Sequence, residues 1–149
     1  MISGTDIQLY LRKVLVDGLE DIKKRYRLFA ETPIKILFSN NSPEQNYSNI
    51  VIEEYFGDAS FYEFADFSQG SGYYALELSD ERDTDLRVAK LGELLLTYFA
   101  TGTHDINDTL SIVINNFEID QIESEKNDDR IHYLIRIYFT KFNDDYKEA

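Results

Sequence analysis

The stretch LSIVINNFEIDQIESEKNDDRIHYLIRIYFTK, residues 110–141, is the part of the chain that the rest of the fold has to fit around. In its second arm Ile131, Tyr133, Ile135, Ile137 and Phe139 alternate with His132, Leu134, Arg136, Tyr138 and Thr140. In its first arm Ile112 and Ile114 alternate with Ser111, Val113 and Asn115. Successive side chains leave a pleated backbone on opposite faces, so alternation with period two in β-branched and aromatic residues predicts strands. The polar tip between the arms, residues 120–130 (DQIESEKNDDR), joins them as an antiparallel hairpin with a long loop. The hairpin carries no catalytic motif.

Working outward, 149 residues give room for one domain, residues 1–149, with a core of useful size and flexible ends expected at 1–4 and 143–149. A hydrophobic content of 43% with 14% aromatics places the chain among globular proteins rather than disordered ones. The absence of cysteine excludes disulfides and thiolate metal sites, and agrees with a reducing compartment. No apolar run approaches the ~18 residues a membrane span needs, and the start MISGTDIQLY lacks the basic and apolar regions of a signal peptide. The expectation is a soluble, cytoplasmic product with no membrane partner.

Net charge is −13 and unevenly spread. Residues 1–35 hold seven Lys/Arg against five Asp/Glu, and the remainder holds eight against twenty-three. So acidic a surface repels phosphate backbones, which argues against ordinary nucleic-acid binding. Solubility alone accounts for the charge. The sharper readings are a DNA mimic, a mate for a basic protein, or an acidic channel through which DNA slides.

From the N-terminus, Ile7, Leu11, Val14, Leu15, Leu19, Ile22, Tyr26 and Phe29 recur at steps of three and four. They predict one apolar stripe on a helix of about 24 residues, capped near Ser3 and Asp6 and ended before Pro33. Lys23, Lys24, Arg25 and Arg27 fall in its last turns, where positive charge suits the negative end of the helix dipole. A contact with an acidic neighbour, including another copy of the chain, is the alternative role for that cluster. Residues 34–38 (IKILF), 49–56 (NIVIEEYF), 60–67 (SFYEFADF) and 73–78 (YYALEL) read as strands, with loops at 39–48 and 68–72. A second helix follows, capped by Asp83 or Thr84, with Val88, Leu91, Leu95, Tyr98 and Phe99 as its buried stripe and Gly102 just past its end. A turn, residues 103–108 (THDIND), leads into the closing hairpin. The sum is an α+β fold: an antiparallel or mixed sheet flanked by two main helices and ending in a long hairpin.

The chemistry-bearing residues form no known constellation. His104 and His132 are the only histidines, and nothing in their spacing links them. Gly70-Ser71-Gly72 lacks the outer spacing of a nucleophile elbow, and no phosphate-cradling glycine motif occurs. An EF-hand counted from Asp80 would need Gly at its sixth position and Glu at its twelfth, where Asp85 and Leu91 stand. No catalytic, cofactor or metal role is assigned, and the chain is not expected to be an enzyme. The aromatic run Tyr55, Phe56, Phe61, Tyr62, Phe64 and Phe67 reads either as core packing or as an oligomer or partner interface.

The order of elements resembles that of the tail-terminator (tail-completion, neck) proteins of long-tailed bacteriophages. The opening helix is TDIQLYLRKVLVDGLEDI. The strand block NIVIEEYF through YYALEL then runs straight into DTDLRVAKLGELLLTYF, and RIHYLIRIYFTKF closes the chain. The likeness spans nearly the whole sequence, apart from the loop at 39–48 and the terminal DDYKEA. It implies a structural virion protein: a homohexameric ring that caps the tail tube and joins it to the neck or head connector. DNA would pass through without specific binding, and no cofactor is implied. Under this resemblance the interface residues are Phe61, Tyr62, Phe64, Phe67, Asp58, Asp128, Asp129 and Arg130. The tips at 56–67 or 124–130 would meet the tube or a neighbouring subunit. The rival reading is an acidic monomeric inhibitor, an immunity protein or DNA mimic that binds a basic partner.

Overall fold

A computed structural model of the chain describes residues 2–38, 50–57, 69–82, 86–123 and 129–143. The apolar stripe builds helix α1 (Ile2–Arg25), whose Ile7, Leu11, Leu15, Leu19 and Ile22 are buried. The helix starts at Ile2, so Ser3 lies within its first turn and is not its cap. The stripe then breaks. Tyr26 takes an extended backbone (φ −117°, ψ 115°), and the short helix α2 (Arg27–Ala30) resumes with only Phe29 buried. That one extended residue shifts the phase, so Tyr26, expected on the apolar stripe, faces solvent instead.

The strands are β1 (Ile34–Leu37), β2 (Ile50–Gly57), β3 (Gln69–Glu81), β4 (Gly102–Asn107), β5 (Leu110–Ile122) and β6 (Arg130–Asn143). Helix α3 (Arg87–Leu96) lies between β3 and β4. All six strands form one mixed sheet in the order β1-β2-β3-β6-β5-β4, parallel at β1/β2 and antiparallel elsewhere. The closing hairpin thus inserts its second arm into the middle of the sheet. There Ile131, Ile135, Ile137 and Phe139 lie on the same face as Tyr74, Leu76 and Leu78 of β3, and all are buried. Helices α1 and α3 cover this face, which makes an α+β architecture of one helical layer on one sheet.

Three expectations need correction. Residues 69–72, read as loop from their Gly and Ser content, are strand and pair with β6 from Phe142 to Phe139. A Cβ on Gly72 would come within 2.7 Å of the Phe139 ring and 2.6 Å of the Gly57 carbonyl, so glycine here permits close packing and does not signal a turn. Residues 103–107, expected in a turn, belong to β4, and Gly102 (φ +113°) opens that strand instead of following α3, which ends five residues earlier at the cap Thr97. The cap ahead of α3 is Leu86, in the left-handed conformation (φ 58°, ψ 29°), and not Asp83 or Thr84. The strand expected at 60–67, the loop at 39–48 and the tail DDYKEA (144–149) fall outside the described residues.

The hairpin is longer than its alternation suggests. Its first arm continues to Ile122, with a β-bulge at Asn115. Before the bulge Leu110, Ile112 and Ile114 face the core; beyond it the inward positions are Phe117 and Ile119, opposite Ile137 and Ile135. An extra residue in one strand changes the parity of every side chain after it, which is why the even-numbered pattern stops at Ile114.

Candidate interaction surface

Two buried ion pairs fasten the helices to the sheet. Glu54 projects from β2 into the core, where its carboxylate accepts hydrogen bonds from Gln8 Nε2 (2.9 Å), Arg12 (2.6 and 3.0 Å) and the Tyr74 hydroxyl (2.6 Å). Burial pushes its pKa up, but the donors of Arg12, Tyr74 and Gln8 outweigh that and hold it below the usual carboxylate range. Arg12 also lies over the Phe38 ring, 4.3 Å from its centre. At the other helix, buried Asp80 takes a two-pronged pair from Arg87 (2.6 and 3.0 Å) and a backbone bond from Glu81 (2.8 Å). Both carboxylates have their oxygens occupied by protein donors. They read as structural ties, and sequence reasoning missed them because an acid inside an acidic chain carries no mark of burial.

The two histidines sit on opposite faces of the sheet. His104, on β4, accepts from or donates to Tyr10 through Nδ1 (2.8 Å), while Nε2 donates to the Ala100 carbonyl (2.6 Å). With neutral imidazole this fixes the proton on Nε2 and makes Tyr10 the donor. His132 is buried on the other face, its Nδ1 3.1 Å from Glu77. Among the described residues no group of three or more His, Asp or Glu is placed to hold a metal ion, and no helix is long and apolar enough to cross a membrane.

What remains is outward-facing. On the sheet face away from the helices, β2 and β3 set Glu53 opposite Glu77 and place Tyr55 beside them, its hydroxyl donating to Glu53 (2.7 Å). Burial and these carboxylates raise the pKa of Tyr55. The two described members of the aromatic run therefore divide by strand period. Tyr55 is exposed, whereas Phe56 turns inward and stacks on Phe139 with centroids 6.0 Å apart.

The far half of the hairpin, beyond the bulge, is the more acidic surface. Glu118, Asp120 and Glu123 are exposed on β5 and at its end, and Asp129 is exposed just before β6. Arg136 offsets part of this charge, reaching Glu118 at 3.3 Å and Asp120 at 3.8 Å. Ile119 lies under α3 near Gly92 yet keeps 37% of its surface in solvent. Of the expected interface residues, Asp129 is on this surface. Arg130 is turned back onto β3, bonding the Ser79 hydroxyl (3.1 Å) and carbonyl (3.0 Å). Phe61, Tyr62, Phe64, Phe67, Asp58 and Asp128 fall outside the described residues.

The basic counterpart is the elbow between α1 and α2. Arg25 is engaged within the chain by Asp21 (2.9 Å), which also receives the Tyr98 hydroxyl. The Tyr98 and Arg25 hydrogen bonds lower the Asp21 pKa. Lys23, Lys24 and Arg27 form no ion pair among the described residues. Between them Tyr26 and Leu28 are 42% and 48% exposed, held out by Phe29 buried on one side and by the Thr32 hydroxyl bonded to the Leu28 carbonyl (3.0 Å).

No family model matches the sequence, and no curated protein is similar to it. Twenty-two chains of known structure match the fold. One of them, whose name states no activity, aligns over 91% of this chain and 94% of its own, with a TM-score of 0.52 at 12% sequence identity. The likeness is one of fold.

Proposed function

We propose that this protein is a tail terminator of a long-tailed bacteriophage: a ring, expected to be a homohexamer, that caps the tail tube and joins it to the neck or head connector. The observation that carries this reading is the arrangement of elements. An opening amphipathic helix, strands that lead into a second helix, and a closing hairpin stand in the order on which the resemblance rests, with β4 as an additional strand between the second helix and the hairpin. In this reading the hairpin and the outward aromatics meet the tube, the connector or the next subunit. The net charge of −13 lets DNA pass the lumen without binding. The protein acts by assembly, without an active site or cofactor, in the virion, after synthesis in the host cytoplasm.

The acidic-inhibitor reading has less support. A mimic of duplex DNA needs carboxylates free and in rows, whereas Glu54 and Asp80 are buried in ion pairs and Glu118 and Asp120 share Arg136. The deciding experiment is native mass over a concentration series, with negative-stain images of the same samples, alone and with tail tubes. A closed ring, expected to contain six copies, or a cap on tube ends is the predicted result. A monomer at every concentration that also leaves tubes uncapped would refute the proposal.

A further inference from the structure

The far half of the hairpin is an open edge of the sheet. β4 pairs with β5 only from Leu110 to Ile114. Beyond the bulge β5 is laddered to β6 on one side and, among the described residues, to no strand on the other. Alternate backbone N–H and C=O groups from Glu118 to Ile122 therefore point away from the sheet. Exposure agrees: Glu118, Ile119, Asp120 and Gln121 are all exposed, although Ile119 lies on the helix-covered face. The opposite margin of the sheet is β1, which among the described residues pairs only with β2. Its Ile34 and Ile36 pack toward the core, and Lys35 is exposed on the other face.

The two margins fit each other in direction, level and face. β1 runs parallel to β2, and three antiparallel steps lead from β2 to β5, so β5 runs against β1. A second copy set beside the first in the same orientation thus brings β1 antiparallel to β5. Lys35 is in line with Val51, Ser79, His132 and Ile122, which puts β1 level with the far half of β5 and away from β4. With the helices of both copies on one side, sliding β1 by two residues toward the bulge sets Ile36 beside Ile119 and Lys35 beside Asp120. That slide, roughly 7 Å, is the kind of stagger that a closed sheet of tilted strands takes up. Arg136 approaches only Oδ2 of Asp120, at 3.8 Å, beyond hydrogen-bond distance. Pairing of β5 with another β5 would set Glu118 and Asp120 against the same acids, so this edge selects a strand that carries a cation.

We infer that β1 of one copy adds to the free edge of β5 in the next, and that this strand-to-strand contact closes the ring. The inference rests on the ring reading above and names its interface. Two different margins meeting head to tail make a heterologous contact, which closes when repeated by rotation. Backbone hydrogen bonds hold the copies together, Ile36 covers Ile119, and Lys35 faces Asp120.

The chain has no cysteine, so a cysteine pair reports the contact directly. Lys35→Cys with Asp120→Cys is oxidised, alone and on tail tubes, and sized without reductant. Directly opposite residues of antiparallel strands are ~4.5–5.5 Å apart at Cα, within reach of a disulfide. Within one chain the two positions are four strand spacings apart, roughly 19 Å, and cannot be bridged. The expected result is a ladder of covalent oligomers ending at the ring. Each single-cysteine variant should give dimers at most, and Lys35→Cys with Ile119→Cys, on opposite faces, should give no ladder. Separately, Ile119→Lys should need roughly tenfold more protein to assemble in sedimentation, because it puts a charge against Ile36. Circular dichroism melts check that all variants fold. If the wild type forms rings and the reduced pair does too without cross-linking on oxidation, the interface is wrong while the ring stands. The same holds if Ile119→Lys assembles like the wild type, or if the pair yields nothing larger than a dimer. If the wild type stays monomeric and leaves tubes uncapped, the ring reading falls and this inference with it.

Discussion

Replacing Glu54 by Gln tests how the first helix is held on the sheet. The carboxylate has no side-chain surface in solvent and accepts donors from Arg12, Gln8 and Tyr74 at 2.6–3.0 Å. An amide of the same shape keeps one acceptor oxygen and puts an NH2 group where the other stood, against donors that can no longer be satisfied. Charge-assisted hydrogen bonds contribute about 1.5–3 kcal/mol each, and a stranded buried donor costs about 1–3 kcal/mol. Arg12 is 29% exposed and can turn its guanidinium toward water. Tyr74 is fully buried and cannot. The expected loss for Glu54→Gln is therefore about 2–3 kcal/mol, or roughly 5–10 °C in Tm for a chain of this size. The pH dependence has a definite sign. Because the folded pKa lies below the unfolded one, the stabilisation is complete above the ordinary carboxylate range and disappears as pH falls through the folded value. Urea unfolding followed by circular dichroism from about pH 7 down to pH 3 reads both effects. The variant should be less stable at neutral pH and should lose stability less steeply on acidification. Equal stability at pH 7 with an unchanged acid slope would refute the reasoning.

Two further substitutions probe the backbone and the helix contact. Leu86 holds a left-handed conformation that costs a side-chain-bearing residue roughly 1–2 kcal/mol, and its side chain is half exposed, so Leu86→Gly should raise unfolding stability by about 0.5–1 kcal/mol; a destabilised variant would show that Leu86 packs in a way that exposure does not reveal. Gly18 admits the Tyr98 ring so closely that a Cβ would stand 2.9 Å from its Cγ, and the ring is held by its bond to Asp21. Gly18→Ala should cost about 1–3 kcal/mol in chemical denaturation and loosen the contact between α1 and the turn that follows α3, whereas wild-type stability would mean the ring moves aside freely.

Much of the fold was legible in local pattern. Alternation at 131–139 gave β6, and steps of three and four gave α1 and α3, because burial of one face imposes those periods directly. The errors fall where one residue does something its type does not announce. Tyr26 takes an extended conformation with no Gly or Pro to signal it, Gly72 sits in a strand because Phe139 needs the room, and Asn115 shifts parity within a ladder. β4 escaped notice because its alternation pairs polar groups, His104 inward on Tyr10 and Thr103, Asp105 and Asn107 outward. The surface was only half legible. The basic cluster at 23–27 and the acidic residues Asp120, Glu123 and Asp129 stand out in sequence, but their presence at the same end of the sheet depends on β6 lying between β3 and β5, an ordering that no local pattern encodes.

The bulge at Asn115 also limits how this hairpin can change its length over generations. On the core-side half of β5 the inward residues are even-numbered, and on the far half they are odd-numbered. Gain or loss of a single residue within either half would turn the remaining inward set to the wrong side, whereas a pair leaves every face as it was. Any lengthening of the arm that reaches out from this fold is therefore expected to proceed two residues at a time, or to pass through deletion of Asn115 itself with an opposite insertion elsewhere. An outreach adjustable only in steps of one pleat, roughly 7 Å at the usual rise of two strand residues, is a coarse ruler.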